Sequence, residues 1–302
     1  MAKVKKSTVF ICLGVFLAGL LFFFPLQNLK GLIFQKIFES TGVLIVAEEI
    51  HPIFFGWPGI GIKNVNVTLP AGGSDIELAS RSMTFRVRLS SAFIPSVSLA
   101  FDELKGGGDL FLLFGQSGAV TRIVAESDKL NLGQIVIPGL GRSLGGLLES
   151  DVSLKYNDAI FSETSGRMNL AVANFKFPAT SVNNPMLGPP FQIPELNAGN
   201  LDVKLKFQDG VISVSSFKLG TPQTDVSGGI SGEMKMGANI FESQINLTLK
   251  LVFSPKIQDN PEYKTFLDFL GAYRTSKSGE YAMNWNASLQ QLMSNPLPSP
   301  LR

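Results

Sequence analysis

The residues best equipped for chemistry stand together early in the chain. Glu48, Glu49 and His51 set two carboxylates beside the only imidazole of a 302-residue sequence. Such a trio ligates a metal or works as an acid/base pair when a helix or a shared face converges the groups. Here it lies where a strand runs into the aromatic turn HPIFFGWPG, so a charged strand end is expected instead. A serine triad would need His51 as its base, and no G-x-S-x-G elbow occurs. Gly139, Gly141, Gly145 and Gly146 in PGLGRSLGG miss the G-x-G-x-x-G spacing and lack the following Lys of a phosphate loop. Turn glycines fit them better. Met234 and Met236 share one strand face and read as core filler rather than copper ligands. With a single Cys, Cys12, neither an internal disulfide nor a thiolate zinc site can form. The expectation is a non-enzyme with no catalytic, metal or cofactor site.

The charge balance excludes another class. Lys+Arg total 26 against 24 Asp+Glu, which does not suit a nucleic-acid binder, and the charged fraction of 17% is below the roughly 25% of an average soluble domain. Twenty-four Phe against four Tyr and two Trp mark a greasy chain. The grease is concentrated first between residues 7 and 28, a 22-residue stretch with no ionisable group but the Cys12 thiol. As a helix it would be about 33 Å long, matching a hydrocarbon core of about 30 Å. Val9, Phe10, Ile11, Leu13, Val15, Phe16, Leu17, Leu20, Leu21, Phe22, Phe23 and Phe24 together favour insertion by about 4 to 7 kcal/mol as an upper estimate. Cleavage after Ala18 or Gly19 would leave Leu20 to Phe24 as a very apolar mature start, so an uncleaved anchor is expected. Lys3, Lys5 and Lys6 precede the span and predict a cytoplasmic N-terminus with the bulk of the chain exported. The expected organisation is a cytoplasmic tail over 1–6, a transmembrane helix over 7–28, a juxtamembrane helix over 29–41, a periplasmic β-rich domain over 42–290 and a flexible tail over 291–302.

Two periodicities divide the remainder. Leu29, Leu32, Ile33, Lys36 and Ile37 follow helical spacing, with Gly42 as the stop. Beyond Gly42 the period becomes two. QINLTLKLVF places Ile245, Leu247, Leu249, Leu251 and Phe253 on one face, and similar alternation recurs at Val65–Leu69, Phe85–Leu89, Val97–Phe101, Val152–Tyr156 and Tyr281–Leu289. Asp209-Gly210 predicts a two-residue hairpin loop that pairs Gln208 with Val211, Phe207 with Ile212 and Leu205 with Val214. The alternation then slips, which predicts a bulge near residues 215–217. A weaker tight turn is read at Asn157-Asp158. Five prolines between residues 177 and 197 predict a long irregular excursion, and PEYKTFLDFLG a short helix laid on the sheet. The fold class is therefore mainly β: one N-terminal transmembrane helix, then a predominantly antiparallel, elongated curved sheet, whether groove, sandwich or partly closed barrel, with one or two short helices. Phe54, Phe55 and Trp57 follow the anchor closely, and either rest at the bilayer surface or plug one end of the sheet.

The order of an apolar segment ending FFFPLQNLK, a helix closing with STG, the strand VLIVAEEI, an aromatic turn and GIGIKNVNVTLP resembles the start of AsmA-like envelope proteins. KLNLGQIVIPGLG, NLAVANFKFPA, the run from IPELNAGNLDVKLKFQDG to GGISGEMKM, and SQINLTLKLVFSP are similar to type II secretion system protein N. The likeness runs from about Phe24 to about Leu289 and is one of pattern and order. It implies a single-pass protein of the Gram-negative inner membrane whose periplasmic β domain assists protein secretion by docking to other secretion components, without catalytic residues. The AsmA-like side implies instead a groove that holds or transfers lipid acyl chains. For that second function the candidate lining is Leu205, Phe207, Ile212, Ile245, Leu247 and Leu249, with phospholipid as the partner.

Overall fold

The computed structural model describes residues 26–301 except 72–73, 90–94, 135, 138–141, 158–159, 183–190, 238 and 295–296. The anchor residues Val9 to Phe24 lie outside the described residues. Among the described residues no helix is long and apolar enough to cross a membrane.

A helix, α1, runs Leu26–Thr41, so the helical stretch expected from 29 begins three residues earlier. Gly42 ends it with φ of 73° and an N–H donated to the Phe38 carbonyl at 2.8 Å. That left-handed stop is one glycine takes without a Cβ penalty. The face expected from spacing holds at Ile33 and Ile37, which turn to the sheet with Phe34, but not at Leu32, which is 63% exposed.

Then come β1 (Leu44–Ile53), β2 (Gly59–Ala71), β3 (Ser74–Leu89), β4 (Pro95–Leu104), β5 (Asp109–Ser117) and β6 (Val120–Asn131). A small hairpin of β7 (Val136–Ile137) and β8 (Arg142–Ser143) interrupts before β9 (Gly145–Asn157) and β10 (Ser165–Phe177). A second, β11 (Thr180–Val182) with β12 (Phe191–Ile193), precedes β13 (Leu196–Gln208), β14 (Val211–Leu219), β15 (Val226–Lys235) and β16 (Gln244–Phe253). The chain finishes with α2 (Pro255–Gln258), α3 (Lys264–Phe269), β17 (Glu280–Ser288), α4 (Leu289–Ser294) and β18 (Ser299–Pro300).

Apart from the two small hairpins, every strand joins one 14-stranded sheet in chain order, and every pairing in it is antiparallel. β1 and β18 are its two ends and do not pair with each other, so it is not a closed barrel. Among the described residues four α-helices occur, more than the one or two short ones expected, because the 255–273 connection folds into several short helical turns. The Pro-rich excursion is not wholly irregular, since β11 and β12 pair within it. The tail expected to be flexible carries α4 and returns β18 to β17.

The registers align apolar residues into rows that cross the sheet. One reads Ile60, Phe85, Leu99, Leu112, Ala125, Val152, Met168, Leu205 and Val214, each directly opposite the next. Directly paired residues share a face, so one face stays apolar from β2 to β14. Two buried clusters close its ends. Near α1 lie Ile50, Ile62, Val65, Val67, Met83 and Phe101. At the far end Phe253, Ile257, Tyr263, Leu270 and Tyr281 pack beneath α2 and α3, with Phe253 edge-on to Phe266 and Tyr281 at centroid distances of 5.7 and 5.5 Å. The Tyr263 hydroxyl donates to the Glu195 carbonyl at 2.7 Å. Burial pushes that hydroxyl above the ordinary tyrosine range, with Asp225, Glu262 and Glu195 adding to the shift. Between the clusters the row is mostly half-buried.

Candidate functional site

The Glu48–His51 group does not converge. Glu48 accepts a hydrogen bond from the Asn64 amide. Glu49 pairs with Lys63 at 2.9 Å, and that ammonium holds its carboxyl below the usual range. His51 lies over Gly61, its partner across β1 and β2, so closely that a Cβ at Gly61 would press on the edge of the imidazole and push the ring aside. The group is therefore a strand-edge arrangement among neighbours, and among the described residues no cluster of metal-ligating side chains occurs.

An apolar hollow lies elsewhere. Between α1 and the apolar face of β1 to β5 lies a cavity of about 480 Å³, within the roughly 300–1,000 Å³ of small-ligand sites. The helix contributes Ile33, Phe34, Ile37 and Thr41. Its far wall is built by Ile60, Ile62, Met83, Phe85, Leu99 and Phe101, with Leu112 behind them. Thr41 is the only lining residue with a polar side-chain atom, and its hydroxyl already donates to the Ile37 carbonyl at 2.7 Å and accepts from the Val43 N–H at 3.2 Å. Most ligand sites keep a few free polar groups to orient their guest. A wall without them selects hydrocarbon.

The lid over this cavity is held by side chains acting as a surrogate strand. The Gln27 amide donates to the Glu48 carbonyl at 3.0 Å and accepts the Ile50 N–H at 2.8 Å, pairing with the outer edge of β1 as a neighbouring peptide would. Lys30 donates to the carbonyls of Ala47 and Glu48 at 3.0 and 2.9 Å. An edge strand so covered is blunted against other chains.

The groove residues named from sequence stand on the same face but not in this cavity. Phe207 and Ile212 pair directly, as do Leu205 and Val214, and the row continues from Ile212 through Met234 to Ile245. Leu247 and Leu249 lie opposite Trp285 and Met283. Phe207 is buried and the other five are half-buried. Sequence reasoning found Val67, Leu69, Phe85, Leu99 and Phe101 as alternating residues but missed that they line a cavity, because alternation says which residues share a face and not what covers it. Of the aromatic turn, Phe55 is 90% and Trp57 42% exposed, while Phe54 is half-buried.

Comparison of the chain with protein families, with curated proteins and with solved structures found no match.

Proposed function

We propose that this is a non-catalytic, AsmA-like envelope protein, anchored in the bacterial inner membrane by residues 7–28, whose exported β domain holds or transfers lipid acyl chains. One observation carries the reading: a cavity of about 480 Å³ whose single polar side chain is already hydrogen-bonded. Three features support it further. The cavity lies on a face whose apolar rows continue across the sheet, the sheet does not close into a sealed barrel, and the helix that roofs the cavity follows the anchor directly in the chain. Mass spectrometry of the gently extracted full-length protein should find phospholipid or another acyl lipid in near-stoichiometric amount. A preparation free of lipid, and unable to take up a fluorescent fatty acid, would remove the reading.

A second reading, an accessory component of the type II secretion system that docks to other components, has its own observation. β18 pairs with Met283 and Asn284 of the nine-residue β17, and the Arg274–Tyr281 bridge covers the start of that strand; the edge at Asn286 and Ala287 lies beyond both, where a partner strand could extend the sheet. Deleting the gene should then lower the amount of secreted enzyme outside the cell, and an unchanged set of exported proteins would count against it.

A further inference from the structure

A second surface lies beside the cavity, on the opposite face of the same strands. Arg88 faces Ser96, Ser96 faces Gly115, Gly115 faces Arg122 and Arg122 faces Lys155. Three cations are thereby set in one row across β3 to β9, with Arg86 two residues from Arg88 on the same side. Small residues flank the arginines: Ser96 and Ser98, paired with Arg88 and Arg86, are buried, and the Arg88 guanidinium rests 5.5 Å from the centre of the Phe111 ring. Among the described residues none of the four cations has a carboxylate partner. Glu163, in the connection after β9 at that end, accepts from Asn157 instead. The row borders the β1–β2 turn, where Arg86 donates to the Phe55 carbonyl at 3.5 Å and Phe55 and Trp57 stand exposed.

The position of this corner names its occupant. Gln27, at the start of α1, touches Ile50, and three residues later β1 ends and the aromatic turn begins. The apolar segment of residues 7–24 therefore joins the domain at the end that carries the exposed aromatics and the row of cations.

We propose that this corner is a docking surface for the anionic phospholipid headgroups of the bilayer, with Arg86, Arg88, Arg122 and Lys155 meeting phosphates and Phe55 and Trp57 seated at the interface. Four unpaired cations complement a negative surface, and aromatic rings prefer the headgroup level. The inference rests on the anchored, lipid-handling reading and adds to it a choice of lipid charge and a fixed orientation of the domain.

The test uses the full chain in lipid nanodiscs whose acyl chains carry bromine, a contact quencher of indole. Trp285→Phe leaves Trp57 as the only tryptophan. In discs containing phosphatidylglycerol Trp57 should be strongly quenched, and quenching should fall by at least about half in pure phosphatidylcholine or in salt of about 0.5 M, where screening is short-ranged. Replacing the four cations by Gln should remove the dependence on phosphatidylglycerol, each charge contributing roughly fivefold to the docking equilibrium constant. Because salt acts without any substitution in the row, the outcome does not depend on that variant folding. Trp57 unquenched in every disc, or quenched equally in both lipids at all salt concentrations, overturns the proposal. Failure of the acyl-chain reading looks different: no co-purified lipid, whatever Trp57 reports.

Discussion

Removing the Gln27 amide tests whether the helix that roofs the cavity is held by surrogate strand pairing. Gln27→Ala deletes two neutral hydrogen bonds, to the Glu48 carbonyl at 3.0 Å and from the Ile50 N–H at 2.8 Å. Each is worth about 0.5–1.5 kcal/mol net. Gln27 is exposed, and water can replace its groups, so the lower part of that range applies: about 1–1.4 kcal/mol for the pair. The loss falls on local opening of α1 and not on the sheet, whose own ladder is untouched. Amide-resolved hydrogen exchange should therefore show the Ile50 amide exchanging about five to ten times faster, with the paired amides of β9 and β10 unchanged. Lys30→Ala, added to Gln27→Ala, should contribute more than it does alone, because the Glu48 carbonyl, to which both side chains donate, then keeps neither donor. Unchanged exchange at Ile50, or an equal rise across the sheet, would refute surrogate pairing as the means by which α1 is held.

Other consequences can be checked separately. Leu99→Trp with Leu112→Trp, both half-buried and lining the cavity, should cut co-purified acyl lipid severalfold while costing about 1–3 kcal/mol in denaturant unfolding through overpacking. Tyr263→Phe removes the hydrogen bond to Glu195 at 2.7 Å and should cost about 1 kcal/mol at neutral pH. Because the folded protein holds that hydroxyl protonated past its unfolded value, wild-type stability should fall as pH rises above about 10, and Tyr263→Phe should lose that component of the alkaline slope in urea titrations. Gly232 combines φ of 127° with the Asn246 carbonyl in the way of any Cβ. Gly232→Ala should lower the denaturant midpoint by the equivalent of about 2–3 kcal/mol.

Legibility followed the range of the interactions. The Asp209-Gly210 hairpin was readable because turn chemistry and alternation act over a few residues: both turn residues have positive φ, and Gln208–Val211, Phe207–Ile212 and Leu205–Val214 pair as expected. The slip falls at Ser215, an extra residue that lets Val203 pair with Phe217 and keeps both apolar side chains on one face. Asn157-Asp158 does not close a two-residue hairpin, and Asp158 lies outside the described residues. Lys155 pairs with Ser165, so the connection spans nine residues, with the Ile160 N–H donated back to the Asn157 carbonyl at 3.2 Å and a 3-10 turn at Phe161–Glu163; the length of the connection is set by strand pairing, which turn residues do not report. The cavity was the least legible feature. It depends on which face of α1 meets which rows of the sheet; helical spacing picked out Ile33 and Ile37, which line it, together with Leu32, which faces outward.

The order of the sheet bears on how it can be made. Since strand neighbours in space are also consecutive in the chain, save for two inserted hairpins, each segment finds its mate among residues synthesised just before it. A polypeptide emerging one end first could add hairpin upon hairpin without waiting for distant sequence, at low contact order for so large a β structure. Only the covering turns beyond β16 must wait for the end of translation before their cluster is complete.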